Sequence, residues 1–353
     1  MKNKGLYIHI PFCSNICSYC DFSKFFYNEE FVDRYLLMLE KELESYQIDN
    51  ISSIYIGGGT PSSLKVHQFE KMLLLAHKYF KDGMSFTVEA NVENLSEDKI
   101  ALLRKYQVNR VSLGVQTFND DLLKSLNRYH NKEQVITVIN NLIKYNINDI
   151  NVDLIYALPN QTMDMLKEDL DIIVTLPITH ISTYSLMINP NTLFSIKGIQ
   201  EQDEDTVREM YDYIYEYLKR NGFNRYEVSN FSREGYESKH NLIYWRNQEY
   251  YGIGVGASGY LDNIRYDNTK SLNKYFEGVT RVNEEILTEK DKDFYLVMLG
   301  LRLKEGILIK NPIYKDKIES LISSGYIEKN NERYKVKDEY LFILDYILGK
   351  IIL

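Results

Sequence analysis

The stretch YIHIPFCSNICSYCDF, residues 7–22, contains all three cysteines of the 353-residue chain. Cys13, Cys17 and Cys20 form a C-x3-C-x2-C pattern on a loop that follows a strand-like segment ending near Ile10. Three cysteines cannot form a complete disulfide framework, and clustered thiols in a reducing compartment usually bind metal or carry out redox chemistry. Because soft thiolates suit zinc and iron–sulfur clusters, the stretch predicts a metal centre.

The number of cysteines separates the candidate metals. A structural zinc ion needs a fourth protein ligand, and neither Asp21 nor a distant histidine lies at a usual spacing. A four-iron cluster held by three cysteines leaves one iron open to another ligand, as a catalytic metal site requires. We therefore predict a [4Fe–4S] cluster bound by Cys13, Cys17 and Cys20, with zinc as the alternative.

The overall composition is that of an ordinary globular protein, with 44% hydrophobic and 26% charged residues. The formal charge of −8 argues against a nucleic-acid or anionic-membrane partner. No apolar run approaches the ~20 residues that span a bilayer. The chain passes from Met1 directly into the strand-like GLYIHI without a secretory signal, so we expect a cytoplasmic location. The thirty tyrosines fit a compositional bias better than a ligand-facing role.

Short apolar runs alternate with amphipathic stretches over the first two thirds of the chain. Residue type predicts six strands, at residues 6–10, 53–57, 85–90, 110–115, 150–155 and 180–187. Apolar spacings of three and four predict helices at residues 30–45, 66–80, 97–105, 132–144 and 163–174, with Ser96 as an N-cap. Six strand–helix repeats predict an α/β fold, a partial (β/α)6 barrel, with a doubly wound open sheet as the alternative.

The pattern changes after about residue 200. A helix at residues 204–221 precedes NRYEVSNFS and the glycine-rich YYGIGVGASGY. Beyond Leu287, helices at 289–303 and 314–323, a hairpin and a helix at 339–350 form a winged-helix-like α+β pattern. The segment is not strongly basic, which disfavours an iron–sulfur-sensing transcription factor. We predict three units: a barrel at 1–200, an extension with an HNxxYW motif at 201–287, and the winged-helix-like domain at 288–353.

Polar residues stand where the predicted strands end. The motif GGGTPS begins at Gly57, and Glu89, Gln116 and Asp153 lie at or near the ends of the next three strands. Glycines at such a turn let backbone amides approach a ligand closely. Because the carboxyl ends of parallel strands meet on one face of a barrel, these residues and the cysteine loop predict one ligand-binding rim.

The cysteine spacing, with aromatic Tyr19 before the last cysteine, resembles the radical S-adenosylmethionine (SAM) superfamily. That resemblance implies an open iron that binds the amino and carboxylate groups of SAM, whose reductive cleavage gives methionine and a 5′-deoxyadenosyl radical. The further motifs GVQTF, LNRYH, DLIYALPNQT and KHNLIYW occur in order before Tyr260. Together they resemble the oxygen-independent coproporphyrinogen III oxidase branch of the superfamily.

The resemblance also implies which residues bind one or two SAM molecules. The residues that match the family's contacts to the cluster-bound SAM are Tyr7, Gly58 and Glu89. Those matching a second SAM site are Gly59, Thr60, Gln116, Arg128 and Asp153, with Tyr19 nearby and with Met187 and Ala257 aligned only loosely. From chemistry alone, Asp153 and Gln116 suit hydroxyl or amino groups, and Arg128 suits a carboxylate.

Two departures from the oxidase point to a different branch. Phe22 stands where the oxidase has an additional cysteine, and the oxidase's N-terminal extension has no counterpart before Tyr7. Both features are similar to the shorter HemW family, regarded as haem chaperones that pass haem to respiratory apo-haemoproteins. The resemblance implies haem binding, a possible homodimer, and membrane contact only through a client. It leaves enzymatic turnover open, with decarboxylation of coproporphyrinogen III propionates to vinyl groups as the alternative function.

The HNLIYW motif supplies the candidate haem ligand. His240 is expected to be an axial ligand, with Tyr244 and Trp245 covering a porphyrin face. The alternative is a buried, hydrogen-bonded histidine beside core aromatic residues. His9, which precedes the cysteine loop, is expected to support that loop.

Overall fold

The computed structural model describes residues 3–352, and seven parallel strands form the centre of its largest sheet. Their order across the sheet is β7-β1-β2-β3-β4-β5-β6, with each neighbouring pair parallel. In chain order the strands are β1 (Lys4–Ile10), β2 (Ile51–Gly58), β3 (Ser85–Asn91), β4 (Arg110–Gln116), β5 (Asp149–Tyr156), β6 (His180–Ser185) and β7 (Tyr250–Ile253). The six predicted strands are thus confirmed, and β7 is an addition.

Amphipathic helices connect β1 to β6 and bury their apolar faces on the sheet. The connecting helices are Glu29–Ser45, Val66–His77, Glu97–Lys105, Asp120–Ser125, Lys132–Lys144 and Met163–Ile173. Asn28, Asn131 and Thr162 cap three of these helices by accepting a backbone N–H bond. Ser96 occupies the N-cap position predicted for it, but its side chain makes no capping hydrogen bond.

The sequence pattern missed β7 because glycine breaks its apolar run. A side chain on Gly252 would collide with the backbone carbonyl of Ser258, so the close approach of two chain segments requires glycine there. Beyond β7 the sheet continues through antiparallel strands Ser258–Leu261, Ile264–Asn268 and Arg281–Ile286. Beyond β6 it continues through antiparallel strands Asn230–Ser232 and Asn224–Arg225.

The inward faces of β4, β5 and β6 carry polar side chains at alternate positions, as the two-residue period of a strand requires. In the register between β4 and β5, Arg110 lies across from Asp149, Ser112 across from Asn151, and Gly114 across from Asp153. Asn151 and Asp153 in turn lie across from His180 and Ser182 on β6. Residues from β2 to β6 line a single cavity, so the sheet curves into the partial (β/α)6 barrel predicted from the sequence.

Four helices follow β6 before the C-terminal unit: Leu193–Ile196, Glu204–Arg220, Lys239–Trp245 and Leu272–Phe276. The C-terminal unit contains helices Glu289–Gly300, Pro312–Ser323 and Leu344–Ile352, with a small sheet of strands Ile307–Leu308, Ile327–Asn330 and Arg333–Val336. This winged-helix-like arrangement agrees with the predicted fold class. The division of the chain at residues 200 and 287 stays a prediction.

Several predicted elements have different bounds in the structure, including the helix expected at 289–303, which ends at Gly300. The helix expected at 66–80 ends at His77, and the ring of Phe80 turns back onto His77 and Phe86. The strand expected at 180–187 ends at Ser185. The helix expected at 339–350 begins instead with 3-10 turns over Asp338–Ile343.

The Asp338 backbone and side chain hold this 3-10 segment on the barrel extension. Arg225 lies 3.2 Å from the Asp338 carboxylate and donates to the Asp338 backbone carbonyl, while the Tyr215 hydroxyl donates to the same carboxylate. These tertiary contacts are invisible in the local sequence pattern. Within residues 3–352, no helix is long and apolar enough to cross a membrane.

A buried glutamate joins the first helix to the strands beyond β7. Glu42 accepts hydrogen bonds from the Tyr275 hydroxyl at 2.6 Å, the Asn268 side-chain amide at 2.8 Å and the Gly254 backbone N–H at 2.9 Å. We expect Glu42→Ala to lower the free energy of unfolding by about 3 kcal/mol or more, because the buried Tyr275 hydroxyl and Gly254 N–H lose their acceptor and the Asn268 amide loses one of its acceptors. Urea denaturation measures this loss.

The control is Glu44→Ala, on the exposed side of the same helix, which should change stability by less than about 0.5 kcal/mol. Equal stability of the two variants would contradict the role given to Glu42.

Candidate functional site

The cysteine loop leaves the carboxyl end of β1 and is fixed at both of its ends. Two short parallel strands, Phe12–Cys13 and Phe25–Phe26, pair across its base. The imidazole of His9 lies with Nε2 2.9 Å from the Ser23 backbone carbonyl, so His9 supports the loop in the manner its position predicts. The Tyr35 hydroxyl donates to the His9 backbone carbonyl at 2.6 Å. The loop therefore starts from a rigid part of the sheet.

The three thiols line one space of about 480 Å³ between the loop and the inner faces of β2 to β6, called here the main cavity. Cys13 is buried, and Cys17 and Cys20 are partly exposed. Burial raises the pKa of the Cys13 thiol to about 11, and the hydroxyl of Thr60 lies 3.4 Å from its sulfur. Metal binding would displace the thiol protons.

The donor set fits an iron–sulfur cluster better than a single ion. Within residues 3–352, no three His, Cys, Asp or Glu side chains converge closely enough to hold one metal ion. A four-iron cluster would take one cysteine on each of three irons, so its ligands need only surround a common space. The three thiols meet that condition because they line the same cavity.

The glycine turn after β2 brings the backbone against a buried carboxylate. A Cβ on Gly57 would lie 2.7 Å from the carboxyl carbon of Glu89, so glycine is required there. The Gly58 N–H and the Tyr55 hydroxyl donate to the two Glu89 oxygens at 3.0 and 2.6 Å. Burial raises the pKa of Glu89 to about 7 despite these bonds. Glu89 is thus a partly protonated acceptor on the cavity wall at neutral pH.

The ends of β4 and β5 supply the next part of the wall. Gln116 has a φ of 73°, a left-handed conformation that is uncommon for a non-glycine residue and is often found at functional sites. Asp153 accepts hydrogen bonds from the Asn151 amide at 2.7 Å and the Ser112 hydroxyl at 3.4 Å. Burial raises the pKa of Asp153. Both residues line the main cavity.

Arg128 lies beside this wall but its guanidinium already has protein partners. It donates to the Gly114 backbone carbonyl at 2.6 Å and to the Glu93 carboxylate at 3.1 Å. Burial opposes ionisation of Glu93, but the neighbouring His130 ring, 3.5 Å away, and the charge of Arg128 lower its pKa to about 2. A ligand carboxylate at Arg128 would therefore have to share this guanidinium with Glu93.

The structure brings together most, but not all, of the predicted site residues. Those that line the main cavity are Cys13, Cys17, Cys20, Tyr19, Gly58, Gly59, Thr60, Glu89, Gln116, Arg128, Asp153 and Met187. Tyr7 and Ala257 instead line an adjacent space of about 430 Å³, called here the second cavity. Asp21 and Phe22 of the cysteine loop line both cavities. The ligand roles of all these residues stay predictions.

His240 lines neither cavity and is enclosed by the protein. Its Nδ1 lies 2.8 Å from the Ser53 hydroxyl, and its Nε2 lies 2.8 Å from the Tyr244 hydroxyl. Its ring stacks on Tyr55, and burial lowers its pKa to about 3, which keeps the imidazole neutral. Iron coordination by His240 would require the release of one of these two hydroxyl partners.

Several residues of the main cavity were not predicted from the sequence. They include Arg110, Asn151, Ser182, Tyr184 and Asn241. The available signal was a polar residue at every second position of β4 to β6, which is unusual for a buried parallel strand. Recognising that signal required the register between strands, which the sequence does not provide.

The family model of the radical SAM superfamily matches residues 7–173, which include the cysteine loop and strands β2 to β5. The structure superposes on Escherichia coli coproporphyrinogen III oxidase (HemN), described as a radical SAM enzyme, with a TM-score of 0.87. That superposition covers 99% of this chain and 90% of HemN at 20% identity, so it establishes the fold alone.

Sequence similarity identifies the family more narrowly. The chain is 41% identical to a Lactococcus lactis protein named heme chaperone HemW, over 96% of this chain and 94% of that relative. It is 38% identical to the Bacillus subtilis protein of the same name, over 86% and 84% of the two chains. The chain belongs to the HemW family, and the resemblance drawn from its motifs is confirmed.

The assignment of the three cysteines as cluster ligands predicts that removing one of them prevents cluster assembly. Cys17→Ala should prevent stable assembly of the cluster because one of three thiolate ligands is removed. Anaerobic reconstitution followed by iron analysis and visible absorbance measures the effect. The matched control is Asn15→Ala, an exposed loop residue that lines the same cavity, which should retain wild-type iron content. Wild-type iron and absorbance in Cys17→Ala would refute the ligand assignment.

Proposed function

We propose that this chain is a haem chaperone that binds a [4Fe–4S] cluster, SAM and haem, and delivers haem to apo-haemoproteins. The observation that carries this proposal is the similarity, over nearly the whole chain, to relatives named heme chaperone HemW. Phe22 supports it, because this position holds a cysteine in the oxidase that the sequence otherwise resembles. The proposed clients are respiratory haemoproteins, and homodimerisation and a cytoplasmic location belong to the same proposal.

Cys13, Cys17 and Cys20 would hold the cluster, and SAM would bind beside it in the main cavity. A bound cluster would supply an open iron for the amino and carboxylate groups of SAM. Glu89 supports this placement, because its carboxylate lies on the wall of the cavity that the thiols also line. Gln116 and Asp153, on the same wall, would contact a second SAM molecule.

Haem is the proposed cargo, and the second cavity has the chemistry to receive it. Tyr7, Tyr244 and Tyr250 supply aromatic surface there, while Arg265 and Lys270 supply cations suited to propionates. Tyr244 is also the hydroxyl partner of His240. The side chain of Tyr244 therefore separates His240, the candidate axial ligand, from this cavity. Rotation of Tyr244 would open a path from the cavity to His240.

The alternative function is oxidative decarboxylation of coproporphyrinogen III. The observation that favours it is the superposition on HemN over 99% of the chain. For each of the two propionates, a decarboxylase would need one SAM, one electron to cleave it, and an acceptor for the electron that the substrate radical loses with carbon dioxide. Turnover of coproporphyrinogen III to a divinyl product by the reconstituted protein would establish this function in place of the chaperone.

The pKa of Glu89 predicts how SAM affinity depends on pH. Burial raises this pKa from 4.5 to about 7, so the carboxylate that would accept a hydrogen bond from the SAM amino group forms mainly between pH 6 and pH 8. We expect SAM to bind more tightly at pH 8 than at pH 6, by up to about tenfold. Equilibrium dialysis with the reconstituted protein measures this change.

Glu89→Gln is the control, because it removes the titrating group while keeping the side-chain size. SAM affinity in this variant should be weaker and should show only the pH dependence of SAM itself. An identical pH profile in wild type and Glu89→Gln would exclude Glu89 from SAM binding.

A haem titration tests the proposed cargo and its ligand together. Wild type should bind haem saturably, with a Soret band that reaches a defined stoichiometry. His240→Ala should weaken binding about tenfold or more if the imidazole coordinates iron. Tyr244→Phe should bind haem at least as tightly as wild type, because it removes the hydroxyl that occupies Nε2.

His67→Ala, which changes an exposed histidine remote in sequence from the motif, is the matched control and should behave as wild type. Saturable binding that His240→Ala leaves unchanged would reject His240 as the ligand. Absence of specific haem binding by wild type would reject the chaperone function.

A further inference from the structure

One charged group in the main cavity has no role in the site described above. Arg110 begins β4, the strand that ends at Gln116 on the rim. Six residue steps along a strand span about 20 Å, so the cavity reaches from the rim down the barrel to Arg110. The Arg110 side chain is only 3% exposed. The guanidinium of Arg110 is therefore buried at the deep end of the main cavity, which the three cysteines also line.

The hydrogen-bonding state of Arg110 distinguishes it from the other buried arginines. Arg128 and Arg225 both donate from their terminal nitrogens to protein acceptors within 3.2 Å. Between residues 3 and 352, Arg110 has no such bond from its terminal nitrogens, while its buried Nε lacks a partner as those of Arg128 and Arg225 also do. Its nearest carboxylate oxygen is that of Asp149, 3.6 Å from Nε and beyond hydrogen-bond distance. A buried ionised donor without an acceptor is energetically costly.

The neighbouring polar groups do not satisfy this guanidinium. Asp149 is engaged elsewhere, since it accepts a hydrogen bond from the Thr179 hydroxyl at 2.9 Å. Both ring nitrogens of His180 are occupied, by the Asn151 side chain at 2.5 Å and the Tyr226 hydroxyl at 2.8 Å. The donors of Arg110 are thus left facing the cavity, where an incoming acceptor can reach them.

We infer that Arg110 binds a carboxylate of the ligand that occupies the deep part of the main cavity. A guanidinium presents parallel donors that match the two oxygens of a carboxylate, and a buried setting strengthens such a pair. Asn241, Asn151 and Ser182 line the same cavity and supply further polar contacts. The inference rests on the proposed function, because the second SAM proposed for the main cavity carries a methionyl carboxylate, and a haem in the adjacent second cavity carries propionates that would have to extend into the main cavity to reach Arg110.

A purely structural role and a ligand-binding role for Arg110 predict different effects of its removal on the stability of the ligand-free protein. If Arg110 served only to pair with Asp149, its removal would destabilise the ligand-free protein. If it awaits a ligand, its removal relieves an unsatisfied buried charge and leaves ligand-free stability unchanged or higher. Thermal unfolding without ligand therefore separates the two roles before any ligand is added.

The experiment uses the full-length, reconstituted protein in three variant forms. Arg110→Gln removes the charge, and Arg110→Gln combined with Asp149→Asn also removes the carboxylate that would be left without its partner. Arg104→Gln, which changes an exposed arginine on the preceding helix, is the matched control. Binding of SAM, haem and haem dimethyl ester is measured for each form, together with the melting temperature of the ligand-free protein.

We expect Arg110→Gln to weaken one carboxylate ligand about tenfold or more while the melting temperature holds or rises. Loss of the second of two SAM molecules, with haem unaffected, assigns the carboxylate to SAM. Weaker haem binding, with the dimethyl ester bound equally by wild type and variant, assigns it to a propionate.

Three outcomes overturn the inference. Wild-type affinity for SAM and haem in both Arg110 variants would refute it while leaving the proposed function intact. A lower melting temperature in both variants, with the dimethyl ester weakened as much as haem, would make Arg110 structural. Binding of neither ligand by wild type would reject the proposed function, and the inference with it.

Discussion

The parallel register of β1 to β6 is the constraint on which the rest of the structure depends. It brings the cysteine loop, the glycine turn and the polar ends of β3 to β5 to one edge. The same register, with its two-residue period, stacks polar side chains below that edge in facing pairs such as Arg110 with Asp149. A slip of one residue would turn this whole set outward. The site is therefore a consequence of strand alignment, and the loops complete it.

The interior of the barrel is more polar than stability alone would favour. Glu89 and Asp153 are buried carboxyls whose pKa values are raised by burial, and Arg110 has no hydrogen-bond acceptor at its buried Nε. Such groups weaken a fold unless a ligand satisfies them. Their concentration in one cavity is the physical mark of a binding site. The apolar helix faces outside the sheet supply the burial that offsets them.

Local motifs made part of this account predictable from sequence. The cysteine spacing, the turn at Gly57 and the polar strand ends each identify themselves within a few residues. Contacts that depend on distant segments could not be predicted in this way. Glycine interrupts the apolar pattern of β7, and from the sequence alone Arg110 is only a charged residue at the start of a strand. The same limit applies to His240. The motif predicts it as a haem ligand, but its hydrogen bonds to Ser53 and Tyr244, which the sequence does not reveal, determine whether its ring nitrogens are free to bind iron.

The measurement that tests the central claim most directly is transfer of haem from this protein to an apo-haemoprotein of a bacterial respiratory chain. Haem-loaded wild type is mixed with the apo-protein, the two are separated, and haem is quantified on each. The account predicts stoichiometric transfer that restores the acceptor's spectrum and activity, faster than the same haem bound to an unrelated carrier. Haem that stays on the protein, or reaches the acceptor no faster than from the unrelated carrier, would contradict a chaperone function.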